Sequence, residues 1–80
     1  MNSKNLLYRI TINSKVLAGK PTIRGLRISV EQILNALAAG VPEGDLLEDY
    51  PELEADDIRA ALAYAASIIA DEQVYPLEAA

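Results

Sequence analysis

The 80-residue sequence contains no cysteine and no histidine. Without cysteine the chain forms no disulfide and has no thiolate nucleophile, and without histidine it lacks the commonest general base and zinc ligand. Tryptophan and phenylalanine are absent too, so four tyrosines are the only aromatic residues. These absences argue against an enzyme. We expect no catalytic residue, no metal site and no cofactor.

Long hydrophobic runs are also missing. The longest, residues 60–70, holds eleven residues and is interrupted by Ser67, whereas a membrane-spanning helix needs about 20. No apolar region of signal-peptide length follows the N-terminus. With 51% apolar and 24% charged residues, the chain is typical of a folded protein. The sequence predicts a cytoplasmic protein that does not enter a membrane, with one domain over residues 1–72 and a C-terminal tail over residues 73–80.

The charge is divided between the two halves of the chain. The first 30 residues hold six bases and no acid, whereas residues 31–80 hold twelve acids and one base, Arg59. A basic segment on an acidic body can contact phosphate locally, or it can be a solvated edge that discourages aggregation of strands. For Arg27 a further alternative is an ion pair with a helical acid such as Asp49. The candidate DNA-contacting residues are Lys15, Lys20, Arg24 and Arg27.

The basic half carries the β signal. Alternation over residues 7–12 predicts a strand with Tyr8, Ile10 and Ile12 on one face. Two short stretches, 21–23 and 26–28, flank a turn at which Gly25 suits positive φ. The segment 7–28 is therefore predicted to contain a short hairpin.

Three helices are predicted after it, at about 30–39, 42–49 and 55–72. Ser29 and Gln32 have capping-box spacing before the first helix, and Gly40 ends it. Pro42 begins the second helix, and the third carries an apolar stripe for the core. The stripe comprises Ile58, Ala61, Leu62, Ala65 and Ile69.

Two apolar features of the acidic half are candidates for contact with a partner. Tyr64 and Ile68 widen the stripe of the third helix, and the small size of the chain predicts that this surplus face supports a homodimer. In the tail, Val74, Tyr75 and Leu77 lie among acidic residues. An aromatic anchor with an acidic rim suits a partner whose groove binds nucleic acid.

A short second helix followed by a tight turn and a longer third helix is the layout of a helix-turn-helix unit. The third helix would then read the DNA bases. Its leading residues are Glu54, Asp56 and Asp57, whose charges repel phosphate. If DNA is bound, the basic β segment is the better contact surface.

Three sequence blocks together carry a family resemblance. They are G-K-P-T-I-R-G-L-R-I at 19–28, L-L-E-D-Y-P at 46–51 and D-I-R-A-A-L-A-Y-A at 57–65. From Ile10 to Ala66 the chain resembles the domain of unknown function 433 family. Two positions depart from the family pattern. Leu26 stands where the family commonly has threonine, and Glu54 stands where a serine or threonine cap is expected. The matching positions are Gly19, Lys20, Pro21, Gly25, Arg27 and Ile28 in the first block, with Asp49, Tyr50 and Pro51 in the second.

The resemblance implies a small prokaryotic protein with a three-helix, homeodomain-like or winged-helix domain. It also implies an antitoxin, of a kind often encoded beside a nuclease-like toxin of the PIN-like class. The sequence thus favours an α+β, mostly α, non-enzymatic module that neutralises a nuclease-type toxin, dimerises and binds operator DNA. The alternative is a protein-interaction adaptor with no DNA-binding role.

Overall fold

The computed structural model describes residues 6–72 of the chain. A short antiparallel strand pair precedes three helices, which confirms the predicted α+β, mostly α class. Each strand follows a 3-10 turn, Leu7–Arg9 or Leu17–Gly19. The tail with Val74, Tyr75 and Leu77 lies outside the described residues. The elements are strands β1 (Ile10–Ile12) and β2 (Pro21–Ile23) and helices α1 (Val30–Ala38), α2 (Glu43–Asp49) and α3 (Ala55–Glu72).

The strand pairing differs from the predicted hairpin. β1 pairs with β2, with Ile10 opposite Ile23 and Ile12 opposite Pro21. Residues 26–28 form no strand, and a single bridge joins Thr22 to Ser29. The reason is that the tight turn at Gly25, whose φ is 74° as its position predicted, leads within a few residues to the N-cap of α1.

The predicted strand over residues 7–12 also begins too early. Leu7–Arg9 form a 3-10 turn, and only Ile10–Ile12 are extended. The turn takes Arg9 out of the strand alternation, and its guanidinium reaches acids at the start of α3.

The ends of α1 are those that its sequence predicts. Ser29 Oγ accepts a hydrogen bond from the Gln32 amide at 3.0 Å, and Gln32 Oε1 accepts one from the Ser29 amide at 2.9 Å. Gly40 follows the helix with φ 91°. Pro42 proves to be the N-cap of α2, with ψ 149°, so α2 begins at Glu43.

The core lies between β2, α1 and the first half of α3. Its buried residues include Ile23, Ile28, Val30, Ile33, Leu46, Leu53, Ile58 and Ala61. Leu62 and Ile69 were predicted to join them, but they are 48% and 65% exposed. The body of the protein covers only the start of α3, where all its fully buried residues, between Asp57 and Ala61, are found.

Candidate nucleic-acid and partner interface

Arg24, a predicted DNA contact, turns toward α3. Its Nη2 lies 2.9 Å from Asp57 Oδ2, and its Nε donates to Asp57 Oδ1 at 3.1 Å. Nη2 also donates to the Glu52 carbonyl at 2.8 Å. The backbone at Arg24 has φ 44°, a conformation that costs a non-glycine residue about 1–2 kcal/mol. The hydrogen bonds of its side chain offset this cost.

Arg9 reaches the same carboxylate from the other side. Its Nη1 lies 2.9 Å from Asp57 Oδ1 and 2.8 Å from Glu54 Oε1. Asp57, fully buried, also accepts a hydrogen bond from the Glu54 amide at 2.8 Å. We call these three residues the Arg9–Asp57–Arg24 cluster. It fastens the β segment to the first turn of α3.

The cluster stays ionised because its charges are paired. Burial alone raises the pKa of Asp57, but hydrogen bonds from Arg24, the Glu54 amide and Arg9 outweigh burial and leave that pKa below its ordinary value. The hydrogen bond to Glu54, followed by that to Asp57, raises the pKa of Arg9. Both guanidinium groups therefore remain charged at every pH at which the protein folds.

The cluster also affects whether the first turn of α3 is available for contact with DNA. In a helix-turn-helix protein this turn enters the DNA groove, but here it lies against Arg9 and Arg24. The sequence carries a signal for this contact. Asp57 stands one helical turn before Ala61 and thus on the buried side of α3, and a carboxylate on a buried face requires a cationic partner.

Lys20 and Arg27 lie together, apart from that cluster. Both line an open polar pocket of about 530 Å³ at the N-terminal end of α1, with Ser29, Gln32 and Asn35. Lys20 Nζ pairs with Glu31 Oε1 at 2.8 Å, an exposed contact that lowers the pKa of Glu31 and contributes little to stability.

Arg27 and Lys15 are the two remaining predicted DNA contacts, and both are exposed. Among residues 6–71, no carboxylate lies within ion-pair distance of either side chain, so the alternative ion pair between Arg27 and Asp49 is absent. The structure therefore brings two of the four predicted bases together, Lys20 and Arg27. It directs Arg24 toward Asp57 of α3 and places Lys15 on the loop between β1 and β2. Their binding to DNA stays a prediction.

That loop has an unusual backbone just before Lys20. Leu17, Ala18 and Gly19 have φ values of 49°, 56° and 83°. Three consecutive left-handed residues reverse the chain direction sharply, and Gly19 adopts this conformation without the strain that a Cβ would bring. The turn fixes the position of Lys20 and the start of β2.

Tyr64 and Ile68, the predicted partner contacts of α3, line an apolar groove of about 380 Å³ between α3 and α1. The sequence pattern did not identify the outward face of the helix, where Leu62 and Ala66 are exposed, with exposed Ile69 at the edge between this face and the groove. Their spacing of four and three residues was the available signal. The periodicity of α3 predicts Leu62 and Ile69 in the core instead.

The acids of α2 form a second charged surface. Glu43, Asp45, Glu48 and Asp49 are all exposed. None of them has an ion-pair partner among the residues that the structure describes. This acidic surface is therefore free to attract a basic partner.

Between residues 6 and 72, no three acidic side chains converge in a way that would hold a metal ion. Over the same residues, no helix combines the length and the apolar character needed to cross a bilayer.

The geometry defines a small α+β domain whose strand pair is held to its third helix by ion pairs of Arg9 and Arg24 with the buried carboxylate of Asp57. The chain belongs to the DUF433 family: the family model, described as "Protein of unknown function (DUF433)", matches residues 10–65. This confirms the resemblance inferred from the three sequence blocks.

A curated relative supports the same assignment. The chain is 38% identical over 56 residues to the uncharacterized protein y4eO of Sinorhizobium fredii (strain NBRC 101917 / NGR234). The matched part is 70% of this chain and 25% of the relative, so the chain spans about a quarter of that protein. No solved structure matches the chain.

Proposed function

We propose that this chain is a cytoplasmic antitoxin-like module that dimerises, binds its operator DNA through basic residues and neutralises a co-encoded nuclease-type toxin of the PIN-like class. The observation that carries the proposal is the separation of charge within the fold. Lys20 and Arg27 line one exposed polar pocket, whereas the acids of α2 form a separate exposed surface. The first surface suits phosphate and the second suits a basic groove.

The DNA-binding surface that we propose is centred on Lys20 and Arg27. Their pocket opens at the first turn of α1, where the helix dipole also favours an anion. Lys15 extends this surface, and Glu31 must release Lys20 when phosphate binds. Arg24 contributes to the fold through Asp57, which makes it a poor test residue for DNA contact.

Fluorescence anisotropy with a duplex from the region upstream of the gene tests this surface. If a dimer contacts four to six phosphates, the logarithm of affinity falls with the logarithm of salt at a slope near −4 to −5. Arg27→Gln removes one contact per protomer and reduces the magnitude of the slope by about 2. Arg59→Gln, a change of the exposed base in the acidic half, leaves the slope unchanged. Loss of binding on Arg59→Gln alone would place the contact on α3 and refute this surface.

Toxin neutralisation is the second part of the proposal. A nuclease holds its substrate in a positively charged groove, and carboxylates at the positions of phosphates block that groove. The acids of α2 supply such charges, and Tyr75, with Val74 and Leu77, supplies an apolar anchor beside Glu78 in the tail. These tail residues stay predictions from the sequence.

Calorimetric titration against the co-encoded nuclease tests the anchor. We expect Tyr75→Ala to weaken binding about tenfold, which corresponds to about 1.4 kcal/mol at 25 °C. Tyr8→Ala is the matched control, because Tyr8 is 71% exposed and lies in the β segment. Equal affinities of the two variants would exclude Tyr75 as an anchor.

The dimer is proposed to form through the outward face of α3. Leu62 and Ala66 lie on it, with Ile69 at its edge toward the groove, and alanine permits close approach of a second helix. Light scattering should give about twice the chain mass of 8.6 kDa. Ala66→Glu should give a monomer, whereas Ala38→Glu, at an exposed alanine of α1, should leave the dimer intact. Persistence of the dimer in Ala66→Glu would move the interface elsewhere.

The alternative function is an adaptor that binds the protein partner and never contacts DNA. The engagement of Arg24 by Asp57 favours this alternative, because it removes one of the four predicted phosphate contacts. Toxin binding without detectable DNA binding at low salt would identify the adaptor.

A further inference from the structure

Helix α1 carries polar and largely uncharged residues on the side that faces solvent. Its inner side buries Val30 and Ile33. The outer side is made by five exposed residues, Glu31, Gln32, Asn35, Ala38 and Ala39. Gln32, Asn35 and Ala39 follow one another at spacings of three and four residues, so they lie in one row along the helix. We call these three residues the outer row of α1.

The three helices differ in the charge that they present to solvent. The exposed acids of α2 have no ion-pair partner among residues 6–71. The first turn of α3 contains Asp56 and Asp57. On α1 the exposed acid is Glu31, and Lys20 Nζ lies 2.8 Å from its Oε1 atom. Phosphate is therefore repelled least at the outer side of α1.

Two bases flank the outer row. Lys20 and Arg27 line the same polar pocket of about 530 Å³ as Gln32 and Asn35. Among residues 6–71, no carboxylate lies within ion-pair distance of Arg27. In protein–DNA complexes, contacts with phosphate position a helix, and contacts with base edges give the sequence preference. The pocket brings together side chains of both kinds.

The side-chain amide of Asn35 is available for a new contact. Neither its Oδ1 nor its Nδ2 forms a hydrogen bond with any of residues 6–71. One acceptor and one donor on the same amide match the N6 and N7 atoms of adenine in the major groove. Gln32 differs, because its Oε1 accepts a hydrogen bond from the Ser29 amide at 2.9 Å. Its Nε2 remains a donor, which suits an acceptor such as the N7 atom of a purine.

The dimensions of α1 fit the major groove of DNA. An α-helix with its side chains is about 10–12 Å wide, and the groove is about 12 Å wide. Residues 32–39 rise by about 10 Å along the helix axis, which corresponds to about three base-pair steps of about 3.4 Å. The short side chain of Ala39 lets a base edge come close, and alanine suits the methyl group of thymine.

We propose that α1 enters the major groove of operator DNA, where Asn35 binds an adenine and Lys20 and Arg27 hold the adjacent phosphates. This role of α1 rests on the DNA binding proposed above and identifies the helix that reads the sequence. The first turn of α3 does not take that role, because it is fastened to the β segment through Asp57. Operator half-sites should therefore contain an A·T pair at the position that Asn35 contacts.

Selection from a randomised duplex library measures the base preference of the parent protein and of two variants. The parent should select an A·T pair at one position of each half-site. Asn35→Ala removes the amide and should lower that preference by about 5- to 100-fold, the range expected for one bidentate base contact. Arg59→Ala truncates an exposed base of α3 and should leave the selected sequence unchanged.

A charge added to α1 provides a second measurement that does not depend on base preference. Ala39→Glu and Ala55→Glu each add one carboxylate at an exposed alanine, the first on the outer row of α1 and the second at the start of α3. Fluorescence anisotropy with a duplex that the parent binds should show about tenfold weaker binding for Ala39→Glu than for Ala55→Glu, because a carboxylate within the groove lies close to phosphates. Circular dichroism and light scattering have to show the same fold and mass for both variants.

Two results would overturn the role of α1 alone. Absence of the A·T preference in the parent, or an unchanged preference in Asn35→Ala, shows that this side chain reads no base. Equal binding by Ala39→Glu and Ala55→Glu, or weaker binding by Ala55→Glu, places the groove contact outside α1. In both cases the parent still binds DNA, so the proposed DNA binding stands. If the parent binds no duplex at low salt, the proposed DNA binding fails and the role of α1 fails with it.

Discussion

Replacement of Asp57 with asparagine is expected to destabilise the fold far more than the same replacement at its neighbour Asp56. Asp57 is fully buried and accepts hydrogen bonds from Arg9, Arg24 and the Glu54 amide. The side chain of Asp56 is 42% exposed, and its contacts with Arg9 and Arg59 are long, at 3.9 and 3.5 Å. The two positions thus compare a buried and an exposed carboxylate within one helical turn.

The magnitude follows from the charges left behind. Removal of one partner from a buried ion pair costs about 3–5 kcal/mol. The side chain of Arg24 is 34% exposed, so water compensates part of its charge, and the lower end, about 3 kcal/mol, is expected. Loss of the exposed Asp56 contacts costs about 0–1 kcal/mol. A domain of this length is stable by about 4–12 kcal/mol, so Asp57→Asn removes between a quarter and three quarters of the stability.

Urea denaturation followed by far-ultraviolet circular dichroism measures both variants at pH 7. The protein concentration has to be the same throughout, because the proposed dimer would make the apparent stability depend on it. A difference below about 1 kcal/mol between Asp57→Asn and Asp56→Asn would refute the reasoning, since exposed ion pairs alone account for that much. It would mean that the Arg9–Asp57–Arg24 cluster contributes no more to stability than an exposed ion pair does.

Three further predictions concern pH and the backbone. The pKa of Asp57 is lower in the folded than in the unfolded state. The contribution of Asp57 to stability is therefore complete above the unfolded pKa of about 3.9 and is lost as the pH falls through the folded pKa. On acid titration, Asp57→Asn should lose stability less steeply than the parent protein, and parallel curves would contradict this. Gly25→Ala should lower the free energy of unfolding by about 1 kcal/mol, because φ is 74° there even though a Cβ would meet no other atom. Gly44→Ala should raise the free energy of unfolding by about 0.5–1 kcal/mol, since Gly44 is helical and its surroundings are equally open. Urea midpoints of the two variants that move in the same direction would refute the assignment. Ser29→Ala should cost about 0.5–2 kcal/mol in the same assay through loss of the α1 cap, and no change would show that the cap is dispensable.

The helices could be predicted from the sequence because their signals are local. Ser29, Gly40 and Pro42 mark ends through caps and backbone preferences that act within a few residues. The strand pairing depends instead on which segments meet in three dimensions, and it was predicted incorrectly for residues 26–28. Leu62 and Ile69 were misplaced because periodicity gives the direction of a side chain but not how far along α3 the body of the protein extends.

The candidate site was predictable only in part. The excess of bases in the first 30 residues pointed to the charged side chains of this region, but not to which of them pair with acids of the fold. Arg24 and Arg27 are three residues apart and equally basic in sequence, yet one faces Asp57 and the other faces solvent. That division depends on contacts across 33 residues of chain, which no local pattern encodes.

The separation in sequence between Arg9 and Asp57 has a consequence for synthesis of the protein. The two residues are 48 positions apart, and a chain emerges from the ribosome with its N-terminal part first. Arg9 and Arg24 therefore leave the ribosome, with their positive charge, before Asp57, the one carboxylate among residues 6–71 that pairs with both of them. During that interval they are free to bind the anionic polymers of the cell. The nascent domain closes only when the first turn of α3 appears, which makes Asp57 the residue that ends this exposure.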